Sequence, residues 1–239
     1  MPGPEAGQTA SKAEQARAER EYASVSRRAW LTLELVAVYV LTPIAMYSLL
    51  YQYRVPLFTL LPLVFATFIL LLTLNRSFSW RVALKRGISL RELASILGIF
   101  AVAGPAIALF GYYDSPGSFL RFPRHSYNLW VTVMILYPLV SVTAQEVMYR
   151  VFFFHRYRPL FAGDPQAGIV LNAVLFSFSH IIFQNLTTLI ISFLGGLLFA
   201  WRYESSRSYW ALVLEHALYG NLIFTVGLGR YFYTGVSNF

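Results

Sequence analysis

Residues 56–74 read PLFTLLPLVFATFILLLTL, without one charged side chain. A helix of about 20 apolar residues is what the hydrocarbon core of a bilayer requires. A surface helix of a soluble domain would carry a polar face at the 3.6-residue period, and this run has none. Working outward, similar runs occupy Ala29 to Leu50, Leu90 to Tyr113, Asn128 to Tyr157, Ala167 to Phe183, Leu186 to Trp201 and Tyr209 to about Gly227. The sequence therefore predicts an all-α, polytopic membrane bundle of about seven transmembrane helices. Composition agrees: 57% of the 239 residues are hydrophobic and 13% are charged, where soluble domains carry about 25% charged residues.

Local signals set the span edges. Ser89-Leu90-Arg91-Glu92 has the form of a capping box, with Ser89 at the N-cap and Glu92 three residues on. Gly104 and Pro105 are expected to kink the span that follows. The sixth run is short for a full crossing. Residues 1–28 are polar and lack the apolar core of a signal peptide, so they read as a cytoplasmic segment ahead of one membrane domain, 29–239. Of the Lys and Arg residues, 14 fall on the side that carries the N-terminus, 4 on the other, and Arg150 lies inside a span. The positive-inside rule then places the N-terminus in the cytoplasm.

The chain has no cysteine, which excludes disulfides, thiolate zinc sites and a thiol nucleophile. The net charge of +8 sits between apolar runs, which points to membrane lipids rather than nucleic acid as the partner. There is no internal repeat of the kind that builds secondary transporters.

An ionisable side chain inside a span is costly, so each is a functional candidate. These are Glu34, Glu146, Arg150, His180, Glu215 and His216, with Asn172 and Asn221 as polar additions. Glu146 and Arg150, four apart, share one helix face. That spacing fits a structural ion pair as well as a functional one. Lone histidines such as His180 and His216 are more often hydrogen-bonded core residues than catalysts. Depth favours a site: from the cytoplasmic span ends, Glu146 lies roughly 15 Å in, His216 roughly 12 Å and His180 roughly 20 Å. One carboxylate and two imidazoles at similar depth suit the activation of a water, or the holding of a metal.

The order Gln145-Glu146-x-x-x-Arg150, then Phe176-x-x-x-His180, then His216 followed by Asn221 resembles the CAAX protease and bacteriocin-processing family of intramembrane proteases. The resemblance covers roughly 128–228. It implies an endopeptidase with Glu146, His180, His216 and Asn221 as catalytic residues and Gln145 and Arg150 in support. Glu146 would be the base, His180 would help hold the water, and His216 with Asn221 would stabilise the oxyanion. The substrate would be a protein or peptide, cut near its C-terminus or leader segment. The implied mechanism needs no cofactor; the alternative is a zinc ion on His180, His216 and Glu146. Phe224 to Tyr233 resembles a bacterial subgroup, which implies a bacterial inner membrane.

Two positions depart from the family pattern. Gln145 stands where the family has the first Glu of Glu-Glu-x-x-x-Arg. The family also places Asn or Asp four residues after the last His, and here position 220 is Gly and the amide comes at Asn221. Five residues on is about 140° off the His216 direction on a regular helix, so a π-bulge near Gly220 is expected to restore the face. Without it, Asn221 is a helix-contact amide. Gln145 leaves a second reading open, a catalytically inactive scaffold or immunity-type protein of the same fold.

Overall fold

The structure is a computed structural model, and it describes residues 24–232. The expected tail at 1–28 lies outside the described residues except for its last turn, where the first helix has already begun. Among the described residues there is no strand. The helices are α1 Ser24–Tyr51, α2 Leu57–Leu74, α3 Trp80–Lys85, α4 Leu90–Asp114, α5 Arg121–His125, α6 Tyr127–Arg156, α7 Pro165–Phe183, α8 Leu186–Ser206 and α9 Tyr209–Thr225. Short 3-10 turns lie at Arg158–Phe161 and Leu228–Phe232.

Five of these, α1, α4, α6, α7 and α8, are long and apolar enough to cross a membrane. The protein is an integral membrane protein with an all-helical fold. The other two of the seven expected spans form helices at the expected places, but α2 and α9 are not among those five. Large apolar side chains point outward, with Leu33, Val102, Leu139 and Leu194 more than half exposed. Such a surface suits lipid and would be an aggregation hazard in water.

Caps fix the helix starts. At α4 the Ser89 N–H donates to Glu92 Oε2 at 2.7 Å and the Glu92 N–H donates to Ser89 Oγ at 3.2 Å, closing the expected box. Asp164, Asn185 and Ser208 cap α7, α8 and α9 in the same way, each accepting from an N–H in the first turn. α4 runs as one helix through Pro105.

α6 is the centre of the bundle, and it is not regular. It is wound as π-helix at Tyr137–Val142 and again at Val147–Phe152, on either side of the short α-helical stretch Thr143–Glu146. Wider turns break the regular backbone ladder, and side chains from other helices bond to the carbonyls of α6. Tyr39 of α1 donates to Met148 O at 2.6 Å, Asn172 of α7 to Tyr149 O at 2.5 Å, Tyr209 of α9 to Thr143 O at 3.1 Å and Asn221 of α9 to Met134 O at 3.2 Å. Around the Tyr39 contact an aromatic cluster of Phe68, Tyr149, Phe153 and Tyr157 packs edge to face, with ring centroids 5.3–6.0 Å from Tyr39.

Two charged candidates from the sequence prove structural. Glu34 of α1 is held by Arg156 through bonds of 2.8 and 2.6 Å. Glu215 of α9 is fully buried and takes a two-pronged bond from Arg202 of α8, at 2.8 and 2.9 Å. Arg202 therefore does not belong among the surface charges with which the positive-inside count grouped it: its side chain is spent on tying α8 to α9. Replacing one partner leaves the other charge buried, which costs about 3–5 kcal/mol, whereas apolar replacement of both is often near neutral. Arg202→Met is expected to lower the thermal unfolding midpoint in detergent strongly, and Arg202→Met with Glu215→Leu to recover most of it.

α7 and α8 approach most closely at Gly196, where an added Cβ would stand 3.0 Å from Ala173 Cα and 3.2 Å from Ala173 Cβ. Small residues permit such backbone contact in membrane bundles. Gly196→Val is expected to force the two helices apart, with a cost of about 1–3 kcal/mol, seen as a lower unfolding midpoint and weaker protection of α7 amides from hydrogen exchange.

Candidate active site

The second π stretch of α6 follows directly on Glu146 and contains Arg150. Both side chains are fully buried. Arg150 Nε lies 3.4 Å from Glu146 Oε2, the expected pairing along one helix. The guanidinium lies 4.2 Å from the Phe176 ring centroid and 5.5 Å from that of Phe199, and its Nη2 donates to Gly196 O at 3.4 Å. Rings and a backbone carbonyl thus replace part of the water that this cation has lost, while Nε and Nη1 have no hydrogen-bond partner among the described residues. The Gly196 that lets α7 and α8 close up also supplies that carbonyl.

His216 reaches Glu146 from α9. Its Nδ1 lies 2.5 Å from Glu146 Oε1, and the imidazole stacks on Phe199 at 4.4 Å. The contact is direct, so the carboxylate and this imidazole form one hydrogen-bonded pair with no water between them. Against an ionised carboxylate Nδ1 is the donor of this bond. Nε2 faces the hydroxyl of Tyr137 at 3.3 Å. Tyr137 is a site residue that the sequence does not single out. Tyrosine is common in spans, and no spacing rule links positions 137 and 216.

His180 lies where α7 tightens into a 3-10 turn, at His180–Phe183. It is half-buried, unlike Glu146 and His216. Its Nδ1 bonds Phe176 O at 2.7 Å. A carbonyl cannot donate, so here too Nδ1 carries the proton and Nε2 is the acceptor. The Phe176 ring touches both imidazoles, at 4.8 Å from His180 and 6.0 Å from His216. The Phe-x-x-x-His spacing thus has two uses: its carbonyl sets the His180 tautomer and its ring spaces the two histidines.

Gln145 donates to Ser141 Oγ at 2.8 Å. α9 is α-helical from Tyr209 to Thr225, so the expected π-bulge near Gly220 is not there. The widened turns lie in α6 instead. Asn221 donates to Met134 O, and its Oδ1 is buried without a hydrogen-bond partner. It packs as a contact between α9 and α6. Glu146, His180 and His216, the set considered for zinc, do not gather as ligands. Among the described residues no group of three His, Cys, Asp or Glu side chains could hold a metal ion.

No curated protein and no solved structure matches the chain. A protein-family model does match, over residues 127–222, and it describes the type II CAAX prenyl endopeptidases of the Rce1-like group. The matched segment runs from the start of α6 into α9. It therefore holds Gln145, Glu146, Arg150, His180, His216 and Asn221 together with the elements that position them. Over this segment, less than half of its length, the chain is similar to the Rce1-like type II CAAX prenyl endopeptidases.

Proposed function

We propose that the protein is an intramembrane endopeptidase that hydrolyses a peptide bond with a water activated by glutamate and histidine. The observation that carries this reading is the 2.5 Å bond between Glu146 and His216, buried beside Arg150. It makes one proton-accepting unit from two groups that would each be poor inside a membrane. The unionised imidazole is the cheaper partner to bury, and a proton taken up by the pair is shared with a carboxylate already in place.

In the proposed reaction His180 Nε2 holds the water by accepting one of its hydrogens. The oxygen attacks the carbonyl carbon while the proton passes to the Glu146–His216 pair. Collapse of the tetrahedral intermediate breaks the C–N bond and returns that proton to the leaving amine. Arg150 keeps the Glu146 carboxylate in register throughout. Asn221, committed to Met134 O, stands outside this scheme. The substrate is a protein or peptide presented at the membrane by its C-terminal or leader segment. The charge asymmetry of the loops supports a cytoplasmic N-terminus, and the chain's closing run supports a bacterial inner membrane.

One observation favours a second reading, an inactive scaffold of the same fold. Gln145 occupies the first motif position, and Glu146 is sealed by its own contacts. Turnover separates the two. Purified wild type, tested against a library of membrane-anchored peptides, is expected to cleave. Glu146→Gln and His180→Ala are each expected to lower kcat by at least about 100-fold, the usual worth of general acid–base catalysis, with the fold retained by circular dichroism. Gln145→Ala is expected to change kcat several-fold at most. Loss confined to Gln145→Ala would put the base at the other position, and no cleavage by wild type would leave the scaffold.

The donor set makes a further demand. With Glu146 committed to His216 and Arg150, two separated histidines are too few for tight zinc binding. Cleavage is expected to persist in the presence of strong chelators. Activity lost to a chelator and regained with added zinc would move the site to the metallopeptidases.

A further inference from the structure

Tyr137 lies in the first π stretch of α6, and its hydroxyl is 3.3 Å from His216 Nε2. Its ring packs edge-on against Phe224 of α9, with centroids 5.1 Å apart. It can stand there only because position 220 is glycine. A Cβ at 220 would lie 2.3 Å from Tyr137 Cε1 and 2.4 Å from its hydroxyl oxygen. Position 220 is also where the family's spacing calls for the amide that follows the last histidine. In this chain the amide is gone from that place, α9 carries no bulge to bring Asn221 round, and a phenol from α6 fills the space.

We propose that Tyr137 is a positioning residue of the site, and that with Gly220 it replaces the amide missing from the fourth position after His216. The hydroxyl donates to Nε2, whose lone pair is free because Nδ1–H is turned to Glu146. That bond fixes the imidazole's rotation about its stacking contact with Phe199, so Nδ1 stays on the carboxylate. Phe224, against which Tyr137 rests, lines a cavity of about 440 Å³ with Ser118, Arg121, Ser126 and Gly227.

The kinetic side of the proposal rests on the endopeptidase reading; the contact itself does not, so two measurements are paired. In full-length protein labelled with ¹⁵N-histidine, the His216 resonances, identified by their loss in His216→Gln, are expected to report an Nδ1–H tautomer with a hydrogen-bonded Nε2. Tyr137→Phe keeps the ring and removes only the hydroxyl. It is expected to shift the Nε2 signal and to lower kcat about tenfold, the worth of roughly one hydrogen bond, with KM within twofold. Gly220→Ala is expected to do the same by displacing the ring, and to have no further effect in a Tyr137→Ala background, where the space is vacant. Tyr137→Ala with Gly220→Asn is expected to regain part of the lost kcat. An Nε2 signal unmoved by Tyr137→Phe overturns the proposal, as does a moved signal with unchanged kcat. Wild type that gives the signature without any turnover sinks the endopeptidase reading and leaves the contact standing.

Discussion

A carboxylate and a guanidinium, both without solvent exposure, lie side by side in the middle of α6, and much of the bundle is arranged around them. Removing two charges from water costs several kcal/mol per ion even after relaxation, and their attraction offsets this only with good supporting contacts. Those contacts come from three other helices. α7 brings the Phe176 ring, α8 brings the Gly196 carbonyl and the Phe199 ring, and α9 brings His216. The close approach of α7 and α8 at Gly196 and the stacking of His216 on Phe199 are parts of one solution to one desolvation problem.

The winding of α6 belongs to the same solution. An α-helix satisfies its own backbone and offers neighbours little to hold, which is why such helices suit lipid. α6 gives up that regularity around Thr143–Glu146. Tyr39, Asn172 and Tyr209 then attach to carbonyls at 148, 149 and 143. These bonds fix the rotation of α6 about its own axis, and with it the direction in which Glu146 points. A π-wound stretch is common at functional sites, and here its effect is concrete. It joins α1, α7 and α9 to the segment that carries the motif.

What the sequence revealed follows from what each signal encodes. The helices were legible because a bilayer demands long apolar runs, and the capping box at Ser89 was legible because its two partners are three residues apart. The Glu146–Arg150 pair lies at helical spacing and was legible for the same reason. The partners of Glu34 and Glu215 were not, since Arg156 and Arg202 are joined to them across helices and read along the chain as loop charges. The number of spans is the less legible part: five helices are long and apolar enough to cross a membrane, while α2 and α9 form helices at the expected places but are not among them. The π-bulge expected near Gly220 is absent for a sharper reason. The extra residue after His216 was expected to be absorbed in its own helix, but the distortion lies across the interface in α6, where no pattern in α9 could announce it.

The two histidines differ in a way that bears on how the proposed chemistry is divided. His216 is buried with a partner at each ring nitrogen, so its position is set by Glu146 on one side and Tyr137 on the other. His180 is half-buried at a tightened helix end, and its Nδ1 is tied to the carbonyl one turn back, with Ser179 Oγ 3.2 Å away. That carbonyl cannot donate, so Nδ1 carries the proton. Among the described residues the second nitrogen of His180 has no protein hydrogen-bond partner, whereas that of His216 faces Tyr137. In the proposed reaction it is this nitrogen of the more accessible His180 that holds the water. The buried Glu146–His216 pair takes the proton, so the two histidines would do different work because their surroundings differ.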